Sequence, residues 1–296
     1  MAPSTLTALL DRAEALKHEV LLAPVKKSAA LRGRAFVNLF FEASTRTKTS
    51  FELAGKYLGA DVINFQGKGS SVEKGETLYD TALNIEAMAV DLVVVRHQAS
   101  GAPQHLQEHL KIPVVNAGDG FHEHPTQGLL DMLTVREAKG SLAGLRLVIV
   151  GDILHSRVAR SDLWGFVALG AHVTLVGPPM LLPQGLQHER VRMTTNLEEA
   201  LAGADAVQVL RIQKERQSMA GMPSVEEYRA RWGLTEARAE KLADDVLVLH
   251  PGPQNRGVEI DSSVMERAQS RILDQVQNGV AVRMAVLDWL IGGAHE

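Results

Sequence analysis

Arg34-Ala-Phe-Val-Asn-Leu-Phe-Phe-Glu-Ala-Ser-Thr-Arg-Thr-Lys-Thr-Ser-Phe-Glu-Leu-Ala-Gly-Lys-Tyr-Leu-Gly59 contains a buried strand, a polar junction and a helix in one run. Residues 34–41 form a short apolar stretch of strand length. Phe51 to Leu58 has helical spacing and stops at Gly59, the residue type that most readily ends a helix. Between them, Ser44-Thr-Arg-Thr-Lys-Thr-Ser50 places hydroxyls and two cations where the strand passes into the helix. The first turn of a helix has N–H groups with no intrahelical acceptor and the positive end of the dipole. Hydroxyls and an arginine complete a receptor for a phosphate or similar dianion there. Capping by Ser44 beside a solvated Arg46 is the plainer alternative, but seven polar residues in a row exceed what a cap needs. No Gly-x-x-x-x-Gly-Lys-Ser/Thr motif occurs at this point, which favours a small phosphorylated ligand over a nucleotide.

The same alternation continues outward. Strand-like runs at 34–41, 61–65, 91–95 and 112–116 are separated by helical stretches at 47–58, 75–89 and 103–110. Leu145–Val150, His172–Val176, Ala206–Leu210 and Val246–Leu249 repeat the plan. Strands alternating with helices at this spacing imply βαβ units, hence an α/β fold of two doubly wound parallel-sheet domains. Pro125–Lys139 reads as one strong helix stopped by Gly140, with no Pro/Ser-rich linker around it, so a helix shared by the two domains is expected. A last long helix near 264–292 is expected to return to the first domain. The expected division is 1–135, with about 275–296 packing back on it, and 136–274.

The chain has 296 residues, a net charge of −4 with acids and bases interspersed, and no cysteine. That length suits two domains with cores of their own. The charge balance argues against a nucleic-acid or membrane-surface partner. Without cysteine there is no disulfide, thiolate zinc site or cysteine nucleophile, and a reducing cytoplasm is the expected location. Residues 6–16 carry acids within an apolar pattern and read as an amphipathic helix, not a signal peptide.

Open α/β sheets bind ligands beyond the carboxyl ends of their strands, where strand order reverses. Arg96-His97, His122-Glu-His-Pro-Thr-Gln127, Gly151-Asp-Ile-Leu-His-Ser-Arg157, Arg211-Ile-Gln213 and His250-Pro-Gly-Pro253 all follow predicted strands. Singly, Arg96 reads equally as a strand-end charge, His124 as a helix cap and Lys214-Glu-Arg-Gln217 as a solvated stretch. Together at strand ends, they point to an anionic substrate with several carboxylates or a phosphate. His122-x-His124 lacks the further ligands of a hydrolytic metal site, and Gly151-Asp-Ile-Leu-His-Ser lacks two of the glycines of a dinucleotide fingerprint. No metal or cofactor is expected.

The chain closely resembles the aspartate carbamoyltransferase family over essentially its whole length. The resemblance rests on Phe41-Glu-Ala-Ser-Thr-Arg-Thr-Lys-Thr-Ser-Phe-Glu52, Ser70-Ser-Val-Glu-Lys-Gly-Glu-Thr77, Val95-Arg-His97 and His124-Pro-Thr-Gln127. Val150-Gly-Asp152 with Arg157, Arg211-Ile-Gln-Lys-Glu-Arg216 and His250-Pro-Gly-Pro-Gln-Asn-Arg-Gly-Val-Glu259 complete it. It implies transfer of the carbamoyl group of carbamoyl phosphate to L-aspartate, a step of pyrimidine synthesis. By that resemblance Ser44, Thr45, Arg46 and Thr47, with Arg96, hold the phosphate. Thr47, Arg96 and His124 donate to the carbonyl oxygen, and Gln127 and the backbone carbonyls of Gly252 and Pro253 accept from the carbamoyl amine. Arg157 takes the α-carboxylate of aspartate, and Arg211 with Gln213 takes its side-chain carboxylate. Ser70 and Lys74 are implied to enter a neighbouring subunit's site, which makes the unit a homotrimer with shared active sites. A separate regulatory chain or a dihydroorotase is the protein partner that the resemblance allows.

Some members have leucine where this chain has Gly252, and the glycine is expected to loosen that loop while preserving a backbone contact. The ornithine branch would require His-Pro-Cys-Gln and His-Cys-Leu-Pro, both ruled out by the absence of cysteine. Arg211 and Lys74 would also repel a cationic side chain. A non-catalytic scaffold would be expected to have lost phosphate or oxyanion residues, and these are all present.

Overall fold

The computed structural model describes residues 1–66, 75–212 and 223–292. They fall into two compact units: Met1–Leu133 with the C-terminal stretch from Val276, and Thr134–Gln275.

In the first unit the strands are β1 (Ala35–Phe40), β2 (Asp61–Gln66), β3 (Leu92–His97) and β4 (Val114–Asp119). All pair in parallel, in the order β2-β1-β3-β4. Helices α1 (Pro3–Leu16), α2 (Thr45–Leu58), α3 (Leu78–Glu86) and α4 (Ala102–Gln107) accompany them. Helix α5 (Pro125–Lys139) runs from this unit into the second. β1 is buried on both faces because it is central, with Phe36 and Leu39 fully buried. The helix α2 lies close against it at Gly55. A Cβ there would come within 2.3 Å of the Phe36 ring and 2.7 Å of a Val62 methyl. Gly55→Val is therefore expected to lower stability by about 1–3 kcal/mol through overpacking, measured as a fall in the urea midpoint.

The second unit holds β5 (Arg146–Val150), β6 (His172–Val176), β7 (Val191–Thr194), β8 (Ala206–Val209) and β9 (Leu247–Leu249), parallel in the order β7-β6-β5-β8-β9. Its helices are α6 (Arg157–Ala168), α7 (Leu197–Leu201), α8 (Val225–Trp232), α9 (Glu236–Ala239) and α10 (Ser262–Met265). Helix α11 (Ile272–Ile291) begins here and continues into the first unit. One core joins Val148, Val207 and Val248 to Leu197, Trp232 and Val264.

Two departures from the sequence reading have physical causes. The single helix expected near 264–292 is two, α10 and α11. Between them Val248 N donates to Gln269 O and Arg271 N to Val248 O, each at 2.9 Å, so the outer edge of β9 takes up the backbone that would have continued the helix. The strand β7 went unpredicted because it is a four-residue edge strand whose residues are partly exposed. Its Val191-Arg-Met-Thr194 alternation covers only four residues, too short a run to stand out as a strand.

Candidate active site

In the first unit the chain leaves β1 towards β2 on one side and later resumes at β3 on the other. Strand order thus reverses between β1 and β3. Ser44–Thr47 follows the carboxyl end of β1, and Arg96 stands at that of β3, where Phe41 N donates to Arg96 O at 2.9 Å. Helix α2 begins earlier than its apolar spacing indicates, at Thr45, with Ser44 as an extended N-cap whose side chain makes no capping bond. The first intrahelical bond is Lys48 N to Ser44 O, so the amides of Thr45, Arg46 and Thr47 point out of the helix end with no acceptor inside it. Thr45 and Arg46 are exposed and Thr47 is buried. Capping alone therefore does not account for the segment: Ser44 occupies the cap position, but its hydroxyl does not cap.

Arg96 is not a solvated strand-end charge. Its side chain is 13% exposed, with Nε 3.2 Å from Glu42 Oε2, and Nη1 donates to Ala117 O at 3.2 Å. Glu42 was part of the sequence motif, but its pairing with Arg96 was not legible there.

His124 reaches the site through a rigid turn after β4. The buried carboxylate of Asp119 accepts from Gly101 N (2.6 Å), Asn116 Nδ2 (2.7 Å) and Glu123 N (3.0 Å), and faces His122 Nδ1 at 3.0 Å. Gly120 permits the bend. Its φ is +47°, and a Cβ would lie 2.4 Å from Ser100 Oγ. The carbonyl of His124 then accepts from Gln127 N at 2.9 Å at the start of α5, so the capping reading holds for its backbone. Its ring is buried. Gln127 Nε2 donates to both oxygens of the fully buried Asp131, at 3.0 and 3.2 Å. A carboxylate only accepts, so it fixes the NH₂ side of the amide and leaves Gln127 Oε1 as its acceptor.

In the second unit, strand order reverses between β5 and β8. Asp152 Oδ1, after β5, accepts from His155 N at 3.1 Å, and Ser156 caps α6 through Ala159 N at 3.1 Å. Arg157 thereby becomes the first residue of α6. Arg211 lies two positions beyond β8, partly buried. The two strand ends are braced together, with Leu210 N donating to Val150 O at 2.9 Å and buried Gln208 Nε2 to Asp162 Oδ2 on α6 at 3.1 Å.

The 250–259 loop is tied by hydrogen bonds on either side of its glycine. Gly252 has φ +64°, and its N–H donates to His250 Nδ1 at 2.8 Å. His250 Nε2 lies 3.1 Å from Glu259 Oε1, both side chains fully buried. Asn255 donates through N (2.6 Å) and Nδ2 (3.1 Å) to Glu259, and through Nδ2 to Ile212 O at 2.8 Å. The ring is thus satisfied as a neutral imidazole, accepting at Nδ1 and donating at Nε2. Sequence reasoning placed His250 at a strand end but had no signal for Glu259 as its partner. Ser70, Lys74 and Gln213 lie outside the described residues.

Residues 1–137 match the aspartate/ornithine carbamoyltransferase, carbamoyl-P binding domain, and residues 143–290 the corresponding Asp/Orn binding domain. The aspartate carbamoyltransferase catalytic subunit of Desulforamulus reducens is 52% identical over 296 residues, covering 100% of this chain and 95% of that one. A Trypanosoma cruzi aspartate transcarbamoylase solved with N-(phosphonacetyl)-L-aspartic acid superposes with a TM-score of 0.89 at 33% identity, covering 97% and 92% of the two chains. The ornithine carbamoyltransferase of Thermus thermophilus superposes with a TM-score of 0.87 at 29% identity, covering 98% and 96%.

Proposed function

Because the chain belongs to the aspartate/ornithine carbamoyltransferase family, we propose that it transfers the carbamoyl group of carbamoyl phosphate to L-aspartate, giving N-carbamoyl-L-aspartate and phosphate for pyrimidine biosynthesis. The observation that carries this reading is the strand-order reversal in the first unit, which gathers the first-turn amides of α2, whose acceptors cannot lie within the helix, and the Arg96 guanidinium at the ends of β1 and β3. Fold likeness alone does not choose the amine, since the ornithine enzyme superposes nearly as well. The choice rests on the 52% identity to an aspartate enzyme and on a chain without the cysteines of the ornithine motifs.

The aspartate amine attacks the carbonyl carbon, the bond to the phosphate oxygen breaks, and the departing phosphate takes the amine proton. Thr47, Arg96 and His124 donate to the oxygen that becomes negative, each donor contributing about 2.7–4 kcal/mol. Ser44, Thr45, Arg46 and Thr47, with Arg96, hold the phosphate, which competes with Glu42 for Arg96. Gln127 Oε1 accepts from the carbamoyl amine, as its fixed amide permits, together with the carbonyls of Gly252 and Pro253. Arg157 and Arg211 receive the two carboxylates as planar forks, with Gln213 beside Arg211. No residue acts as a nucleophile; catalysis is positioning and charge stabilisation.

The working unit is a homotrimer in the cytoplasm, with Ser70 and Lys74 entering the neighbouring subunit's site. In support, Gln66 ends β2, an edge strand, and Ile63 on that strand is 49% exposed. No described helix is long and apolar enough to cross a membrane. A regulatory chain or a dihydroorotase is the protein partner consistent with the family.

The purified chain is expected to form carbamoyl product with L-aspartate and none with L-ornithine, assayed side by side. Turnover of ornithine would overturn the choice of amine, and silence with both would favour a scaffold.

A further inference from the structure

Arg283, on the part of α11 that belongs to the first unit, is 3% exposed. Burying a cation is unfavourable unless its charge is answered. Its Nη1 donates to Gly279 O at 2.9 Å within its own helix, and its buried Nε has no hydrogen-bond partner. The guanidinium lies over the Phe51 ring, 5.2 Å from the centroid, and Nη2 is 3.5 Å from Thr126 Oγ1. Gly279 makes room for it, since a Cβ there would come within 2.6 Å of Nη1.

Phe51 is one turn along α2 from Thr47, and Thr126 sits between His124 and Gln127 on α5. Arg283 therefore touches both helices whose first turns carry the anion-binding set. Burial pushes its pKa down to about 9, the nearby charge of Arg96 acts in the same direction, and Asp131, the anchor of Gln127, opposes both. Two like charges in the same neighbourhood repel, and an anion held beside Arg96 relieves both.

We propose that Arg283 is a positioning residue for the anion pocket, holding the first turns of α2 and α5 in place through Phe51 and Thr126 while its charge reinforces that of Arg96 on the phosphate of carbamoyl phosphate. This rests on the reading of that pocket as the carbamoyl phosphate site. The test is the intact enzyme as wild type, Arg283→Met and Arg283→Lys, with inorganic phosphate binding measured directly and KM determined for each substrate. The methionine variant is expected to weaken phosphate binding and raise KM for carbamoyl phosphate by about tenfold, the loss of one cation at low effective dielectric. KM for L-aspartate at saturating carbamoyl phosphate should stay unchanged, and lysine should restore most of the loss. A folded methionine variant that binds phosphate as wild type does would overturn the proposal. If methionine prevents folding, lysine decides. It keeps the charge and loses the fork, so a selective rise of a few-fold in KM for carbamoyl phosphate supports the role, and equal or absent changes for both substrates remove it. Failure of the wild type itself to bind phosphate would instead sink the pocket reading.

Discussion

An Arg46→Ala variant is expected to lose about a hundred- to a thousandfold in kcat, as deletion of one preorganised donor at a developing charge does, while keeping the wild-type melting temperature. Arg46 is exposed in the first turn of α2, so its removal opens no cavity, and alanine is the better helix former. The first-turn amides and the dipole of α2 remain, which is why the loss is bounded. Arg46→Lys should fall between the two, since an ammonium keeps the charge but not the planar fork that grips two phosphate oxygens. Steady-state kinetics with thermal melts on the same preparations would decide it. Near-wild-type turnover in the alanine variant would refute the phosphate assignment.

Glu259→Ala should cost both stability and activity. Three donors converge on this one carboxylate: Asn255 N, Asn255 Nδ2 and His250 Nε2. Deleting it leaves buried His250 Nε2 and partly buried Asn255 N without their acceptor, while Asn255 Nδ2 keeps only Ile212 O, at a cost of roughly 3 kcal/mol. It also frees the loop that presents the Gly252 and Pro253 carbonyls, so kcat should fall even at temperatures where the variant remains folded. Glu259→Gln retains the volume but offers one accepting oxygen and turns an NH₂ group towards a donor; an intermediate loss is expected. Urea unfolding and kinetics on both variants check this, and unchanged midpoints would mean that the loop is held by something other than Glu259.

The parts of the site that were legible are those encoded locally. The apolar run, the hydroxyl and cation cluster and the helix spacing at 34–59 lie side by side in the chain, so strand, junction and helix end were readable together. Arg96, His124, Arg157 and Arg211 were legible as candidates because each lies at or beyond the carboxyl end of a strand, and parallel sheets present those ends on one side. The break between α10 and α11 was not readable, because the competing bonds come from Val248. Nor were Ser70, Lys74 and Gln213 open to structural comparison, being outside the described residues.

The sequence by itself determined the α/β class, the parallel strands and the hydroxyl- and cation-rich segment at the start of α2, since periodicity and helix-end chemistry act over a few neighbouring residues. Only the tertiary structure decided what stands behind those residues. Asp131 orients Gln127, Glu259 fixes His250, and Arg283 meets Thr126 across a sequence separation of 157 residues. A buried polar group takes its meaning from the partner that satisfies it, and when the fold supplies that partner from a distant segment, no local pattern records the pairing.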